Sequence, residues 1–440
     1  MINFKEFWQK SLVKNSFFMM AGNLLAGFLG YVFHFLISRR LSISAYGELQ
    51  SLISLAGILA VPSAAITFFT IKHSSGYFAK NDFAGNFAFY HWLRLKVYWI
   101  ISGLSVIFVL ISPWLLAYLH LPSYPDLFLA WLFVAVGLLV AVKSGILSGW
   151  QDFKSISLSA VLATLIKLIV GVMLVELAAT AFSALIGYLA AGIFSFIFLK
   201  SLIRKKGRLT KEAQTENKDN FFKPQLVWQE IKKIILPVLF FTFLLSLLNS
   251  LDMLMVKNLV SPELAGFYGA FNILGKIIFW ASSAIVAVIL PMACAQSSQK
   301  QKLDKKTLLF ANLLIFAICL GGAAMYLFFP DLIISLLFGA KYLALANSLW
   351  AFALMALSLS LLSLEATLAY ARYDFKISYL IAGSLILEII LVSLFHQNLL
   401  MIALMVALAQ FIGYVLCLAY NLKVDKNNCV LVELPLTQPN

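Results

Sequence analysis

Charge is what this sequence has least of. Asp, Glu, Lys and Arg make up 12% of its 440 residues, about half of the roughly 25% usual in a soluble domain. With 62% apolar residues and a mean hydropathy of +0.93, a water-facing surface cannot be assembled, and the chain reads as an integral membrane protein. Four cysteines, at 294, 319, 417 and 429, show no CxxC pair and no metal-ligand spacing, so they read as thiols packed in apolar surroundings. Histidine is rarer than in most enzymes, at five. There is no HExxH, no GxSxG and no phosphate-cradling glycine-rich loop, which removes zinc-peptidase, serine-hydrolase and ATPase readings. The longest polar stretch runs from about Arg204 to Lys233, too short for a soluble catalytic domain. No enzyme is expected, and ATP would have to be spent by another chain.

Apolar length is what the chain has instead. A helix needs about 20 apolar residues to cross a bilayer, and such runs fall at about 16–38, 49–71, 97–119, 127–149, 156–178 and 180–203. They resume at about 234–256, 266–293, 308–329, 344–370, 378–395 and 398–421. The expected fold is an all-α polytopic membrane protein of about twelve transmembrane helices in two six-helix lobes. The lobes would be 1–203 and 234–421, joined by a basic linker 204–233 and followed by a tail 422–440. The first span follows Lys5, Lys10 and Lys14, ends at Arg39-Arg40 and lacks a small-residue cleavage site, so it reads as retained rather than as a signal peptide.

Base outnumbers acid by 33 to 19, a net charge of +14, which in a soluble protein would suggest nucleic acid. Counted by side, 26 of the 33 cations fall on the face shared by both termini, against Arg39, Arg40, Lys257 and Lys341 on the other. Cytoplasmic loops concentrate Lys and Arg, so a cytoplasmic-membrane location with both termini inside is expected, and no nucleic-acid partner. The linker reads as a solvated, topology-setting loop. The first inside loop, Lys72 to Lys96, interleaves Phe78, Phe83, Phe87, Phe89, Tyr90 and Trp92 with polar residues, which predicts an amphipathic helix on the membrane surface.

The two halves echo each other. At an offset of 219, Ser42, Gly47, Leu55, Ile58, Ser63, Ala65 and Ile66 meet Ser261, Gly266, Leu274, Ile277, Ser282, Ala284 and Ile285. Asp152-Phe153-Lys154 recurs as Asp374-Phe375-Lys376 after the fourth span of each half, and Pro113 to Tyr124 recurs as Pro330 to Tyr342. Echoes in one order at near-constant offset argue for a duplicated six-span unit. Units of even span number share one orientation, as in parallel-repeat transporters whose sites lie between the halves.

Charges inside spans are costly and point to function by default. They are Lys143, Lys167, Glu176, Asp252, Lys276, Glu365 and Glu388. An offset of 222 places Lys143 at the counterpart of Glu365, and Glu388 one residue from the counterpart of Lys167; such charges would pair and part as a ligand arrives, or form static ion pairs, or, for Lys143, snorkel to the interface. Lys167, mid-span, is expected to face a wet cavity, and Lys276 to line the centre. Asp252 reads equally as a gate or an interfacial residue, and Glu176 as interfacial. His34, Arg39 and Arg40 read as anchors at the outer end of the first span, and Asn23 as a helix contact.

The stretch FLISRRLSISAYG (35–47) and its second copy LVSPELAGFYGAFNIL (259–274), with GILSGWQDF (145–153) and LLFGAKYLALANSLW (336–350), resemble the polysaccharide flippases of the multidrug/oligosaccharidyl-lipid/polysaccharide exporter superfamily. Twelve spans are similar to its Wzx-type flippases. The resemblance implies a V-shaped pair of lobes that moves a polyprenyl-diphosphate-linked oligosaccharide (an O-antigen, capsule or exopolysaccharide repeat unit) outward by alternating access. It implies cavity cations, for which the sequence offers Lys143, Lys167 and Lys276, since Lys and Arg hold diphosphates by charge-assisted hydrogen bonds. Asp252, Glu365 and Glu388, with Arg39 and Arg40, would serve coupling to a proton or sodium gradient, or gating; no cofactor is expected. Glycosyltransferases or a polymerase of the same pathway are the protein partners implied, with the chain working as a monomer. The alternatives are a cation-coupled multidrug antiporter of the same superfamily, against which the lysines deep in the first half argue, and a membrane polysaccharide polymerase or ligase, against which the short outer connections argue.

Overall fold

Among the described residues, twelve helical segments are long and apolar enough to cross a membrane, and they fall on the twelve apolar runs of the sequence. In a computed structural model, residues 11–211, 236–298, 305–372 and 374–426 are described, and all their regular structure is helical. Most of the basic linker and the tail beyond 426 lie outside the described residues. Packing divides the chain into two units, 1–239 and 240–440.

Unit 1 contains α1 (Ser11–Arg40), α2 (Ile43–Leu59), α3 (Val61–Ala79), α4 (Phe83–Tyr118), α5 (Tyr124–Gly149), α6 (Phe153–Leu177) and α7 (Ala181–Lys211). Helices α2 and α3 are one span broken at Ala60, with Pro62 in the first turn of α3, where its missing N–H costs no helical bond. Helix α1 packs along α6, α6 along α7, and α5 against both α3 and α7.

The expected surface helix over 72–96 is not formed. Helix α3 runs on to Ala79, α4 starts at Phe83, and the three residues between them turn back at Asn81, whose φ is 54°. The Asp82 carboxylate accepts from Gly85 N at 2.8 Å and caps α4. The aromatic residues that suggested an interfacial face instead fill a core: Phe89, Tyr90, Phe69 and Trp150 are buried there with Leu93 and Val97, and Phe78, Phe87 and Trp92 pack on it. Alternating aromatic and polar residues serve a hairpin core as well as a bilayer surface, so the pattern alone did not distinguish them.

Unit 2 contains α8 (Leu236–Leu259), α9 (Pro262–Ser298), α10 (Lys305–Phe328), the short α11 (Pro330–Leu337), a 3-10 turn (Ala340–Ser348), α12 (Leu349–Ala371), α13 (Ile377–Leu394) and α14 (Leu399–Lys426). Helix α12 is its axis, contacting α9, α10 and α14.

The sequence echoes do equivalent structural work. Ser42 and Ser261 each cap the helix after the first span of their half, accepting from Ala45 N and Leu264 N. Asp152 and Asp374 each start the fifth span of a half and bind a side chain from its sixth, Lys206 and Tyr420 respectively. The third spans, α4 and α10, are the least buried of their units and expose Trp99, Leu110, Phe310 and Leu313, as hydrocarbon-facing helices would.

Candidate functional site

Unit 1 brings His34, Lys167 and Tyr188 together on α1, α6 and α7. Close approach of the helices makes this possible: a Cβ on Gly187 would lie 2.8 Å from Gly171 Cα, and one on Gly171 2.6 Å from the Phe33 ring. The half-buried Lys167 ammonium stands 4.8 Å from the centre of the Phe33 ring and 4.6 Å from that of Tyr188. Aromatic faces attract a cation without neutralising it. The Tyr188 hydroxyl is 3.1 Å from His34 Nε2, and His34 Nδ1 is 3.1 Å from Gln50 Nε2 and 3.4 Å from the Tyr46 hydroxyl. The Gln50 amide nitrogen only donates, so Nδ1 accepts, and in the neutral ring Nε2 carries the proton and donates to Tyr188. His34, expected as an interfacial anchor, is thus a buried junction between three helices. At the rim, Arg40 pairs with Glu176 at 2.6 Å, both side chains about half exposed, and Arg39 is exposed.

Lys143 lies elsewhere in unit 1. Its ammonium sits 3.6 Å from the centre of the Phe196 ring and donates to the Leu139 carbonyl of its own helix at 3.3 Å. Phe196 is eight residues beyond Tyr188 on α7, about 12 Å along the axis, so Lys143 and Lys167 do not converge. Nearby, Asp152 is tied to Lys206 at 2.6 Å and to Ser155 N at 3.2 Å. Burial works against its charged form, but these donors outweigh burial and hold its carboxyl below the usual range.

Unit 2 gathers a larger polar cluster. The Asp252 carboxylate on α8 accepts through Oδ2 from the Tyr268 hydroxyl at 2.7 Å and from Asn272 Nδ2 at 2.8 Å, both on α9. Glu388 on α13, fully buried, accepts through Oε2 from Gln410 Nε2 at 3.1 Å, and the same nitrogen donates to the Leu248 carbonyl. Asp252 and Glu388 are close enough to act on each other. Five oxygens here are buried with no hydrogen-bond partner: Asn249 Oδ1, Asp252 Oδ1, Asn272 Oδ1, Glu388 Oε1 and Gln410 Oε1. Buried polar atoms are normally satisfied, so this concentration of oxygens leaves acceptor capacity unused within the cluster. A small cleft of about 10 Å³, room for about one water molecule, runs past Asn249, Asp252, Asn272, Lys276 and Gln410. Lys276 is half-buried on its wall and is the cation acting on Asp252. Glu365 is separate: its Oε2 accepts from Asn421 Nδ2 at 2.7 Å, and Arg372 donates to the oxygen of that same amide.

The sequence pointed to the charges and missed their neutral partners, Tyr46, Gln50 and Tyr188 in unit 1 and Asn249, Tyr268, Asn272 and Gln410 in unit 2. One signal was available. Tyr268, Asn272 and Lys276 recur every four residues on α9 and so share a helix face.

The family model described as polysaccharide biosynthesis protein matches residues 12–296. An uncharacterised membrane protein of Methanocaldococcus jannaschii is 24% identical over 401 residues, covering 87% of this chain and 90% of that relative. Among solved structures, an inward-facing multidrug resistance MATE family transporter of the MOP superfamily superposes with a TM-score of 0.73 at 14% identity, covering 95% of this chain and 99% of that one. The lipid II flippase MurJ in an inward closed conformation superposes with a TM-score of 0.69 at 14% identity, over 92% and 87% of the two chains.

Proposed function

Since the chain belongs to the polysaccharide biosynthesis protein family, we propose that it is a flippase, carrying a polyprenyl-diphosphate-linked oligosaccharide across the cytoplasmic membrane by alternating access. The observation that carries this reading is the half-buried Lys167, mid-span, lodged between two aromatic rings, with no carboxylate bonded to it among the described residues. A lysine so placed can turn its ammonium to a ligand, and a lipid diphosphate offers several strong acceptors. Lys276, on the wall of the unit 2 cleft, is a second mid-span cation, one that already acts on Asp252. Lys143, on α5 beside Phe196 and so about 12 Å from the level of Tyr188, belongs to a different level. Asp252 and Glu388 are the coupling groups of this reading: oxygen-rich, buried and short of donors, they suit a proton or a hard monovalent cation, whose ligands are oxygen atoms.

Loss of the gene should trap lipid-linked repeat units on the cytoplasmic leaflet. Their normal appearance on the outer leaflet, with no second flippase present, would overturn the reading. Lys167→Ala should abolish export while the protein stays at its usual level in the membrane; unaltered export would return Lys167 to a packing role. An antiporter for cationic drugs is the second reading, favoured by the buried carboxylates of unit 2, and efflux of a cationic dye that competes with no lipid-linked sugar would select it.

A further inference from the structure

We propose that the basic end of unit 1 binds the anionic phosphate of a lipid headgroup, held by Arg94, Lys200 and Arg204 beside the Phe196 ring, with Lys143 behind them.

The depth of these residues follows from helix length. At 1.5 Å per residue, Lys143 lies about 28 Å from the start of α5 at Tyr124, and Lys200 about 28 Å from the start of α7 at Ala181. Both therefore reach the far edge of a hydrocarbon layer about 30 Å thick. Arg94 is 24 residues from the other end of α4, about 36 Å, so it too stands at headgroup level. The core beneath them joins α4, α5 and α7 through Tyr90, Leu93, Val142, Leu199 and Ile203, so the three helices present their cations from one packed surface.

The ammoniums of Lys143 and Lys200 lie 3.6 and 5.7 Å from the centre of one ring, Phe196. The charges acting on Lys143 are Lys200 and Arg94, both cations. Arg94 stacks over Tyr90 at 5.9 Å, and Arg204 acts on that same tyrosine. The Arg94 Nε is buried with no hydrogen-bond partner. Among the described residues, the carboxylates at this end are already used, Asp82 on the α4 cap and Asp152 on Lys206 and Ser155.

A lysine that merely sets topology would extend into water, but Lys143 is 1% exposed. Cations gathered about one ring attract an anion, and the duplicated fold shows what an internally balanced version looks like. The counterpart of Lys143 in unit 2 is Glu365, and there Asn421 links the carboxylate to Arg372. Among the described residues, unit 1 has the cations at this level without the counterpart acid, and a headgroup phosphate supplies it. Cations near an anionic membrane surface contribute about 1 kcal/mol each, or roughly fivefold in affinity.

Two lipids carry such a phosphate, an anionic glycerophospholipid of the leaflet and the isoprenoid diphosphate of the cargo. The full-length protein in neutral detergent, titrated separately with phosphatidylglycerol and with an undecaprenyl diphosphate and read by native mass spectrometry, separates them. Arg94→Gln/Lys200→Gln should bind one or both lipids on the order of 25-fold more weakly, and Lys341→Gln, on the other face of the membrane, should bind as the parent does. Weakening with phosphatidylglycerol assigns the site to a resident lipid; weakening with the diphosphate alone assigns it to the cargo. Both of these partly exposed residues are replaced without opening a cavity, and a matching thermal midpoint confirms the fold. Undiminished binding of both lipids by the double variant overturns the proposal. No transport is measured, so a chain that binds in this way but flips nothing would sink the flippase reading alone.

Discussion

His34 joins side chains from α2 and α7, so His34→Leu takes a hydrogen-bond partner from the Tyr188 hydroxyl and the Gln50 amide in an apolar interior. Each buried polar group left without a partner costs about 1–3 kcal/mol, and the thermal midpoint of the purified protein should fall clearly. Tyr188→Phe should cost less in the His34→Leu background than in the parent, because residues in one hydrogen-bond network couple by about 0.5–3 kcal/mol; additive losses would show that the two do not act as a pair. Nothing in the primary structure marks this junction. His34, Gln50 and Tyr188 lie up to 154 positions apart in sequence, each an isolated polar residue in an apolar run. The charged members were legible because charge inside a span is costly by itself, whereas a neutral residue gains meaning only from its partner.

Helices were far more legible than their contacts, because apolar length fixes where a span lies whatever it packs against. The exceptions are where length stops deciding. The chain between 72 and 96 has too few apolar residues to announce a span and enough aromatics to suggest a surface, yet α3 and α4 extend through it and close on each other at Asn81. Which helices touch is decided by small residues, and α6 against α7 is the sharpest case. Gly187→Ala would push a methyl to 2.8 Å from Gly171 Cα and 2.9 Å from the Lys167 carbonyl, both backbone atoms that yield only if the helices separate. A loss of about 1–3 kcal/mol is expected, together with weaker export, because Lys167 and Tyr188 sit on the two helices being parted. Gly103→Ala on α4, where a Cβ meets nothing within 4 Å, should be neutral or slightly stabilising, since alanine is the better helix former. Equal thermal midpoints for the two variants would mean that the α6–α7 approach has no such constraint.

At the scale of the whole chain, duplication has kept the frame and divided the chemistry. The serine caps, the aspartates that start the fifth spans and the lipid-exposed third spans recur in both units. The polar interiors do not: unit 1 holds lysines against aromatic rings, and unit 2 holds carboxylates among amides with five unpartnered oxygens. A repeat that had kept both chemistries in both units would have no reason to leave one set of cations unbalanced and one set of oxygens unsatisfied. On the flippase reading, unit 1 meets the anionic cargo and unit 2 the ion that drives it. Asp252→Asn and Glu388→Gln preserve shape and remove charge, so they should separate the two jobs. In proteoliposomes holding a labelled lipid-linked sugar, an imposed pH or sodium gradient should speed flipping by the parent protein on the order of tenfold, about 1.4 kcal/mol of barrier. The double variant should flip at its resting rate with or without the gradient and still bind the lipid as the parent does, because Lys167 is untouched. A gradient response of parental size in that variant would remove Asp252 and Glu388 from coupling and leave their unpartnered oxygens to serve packing or ordered water alone.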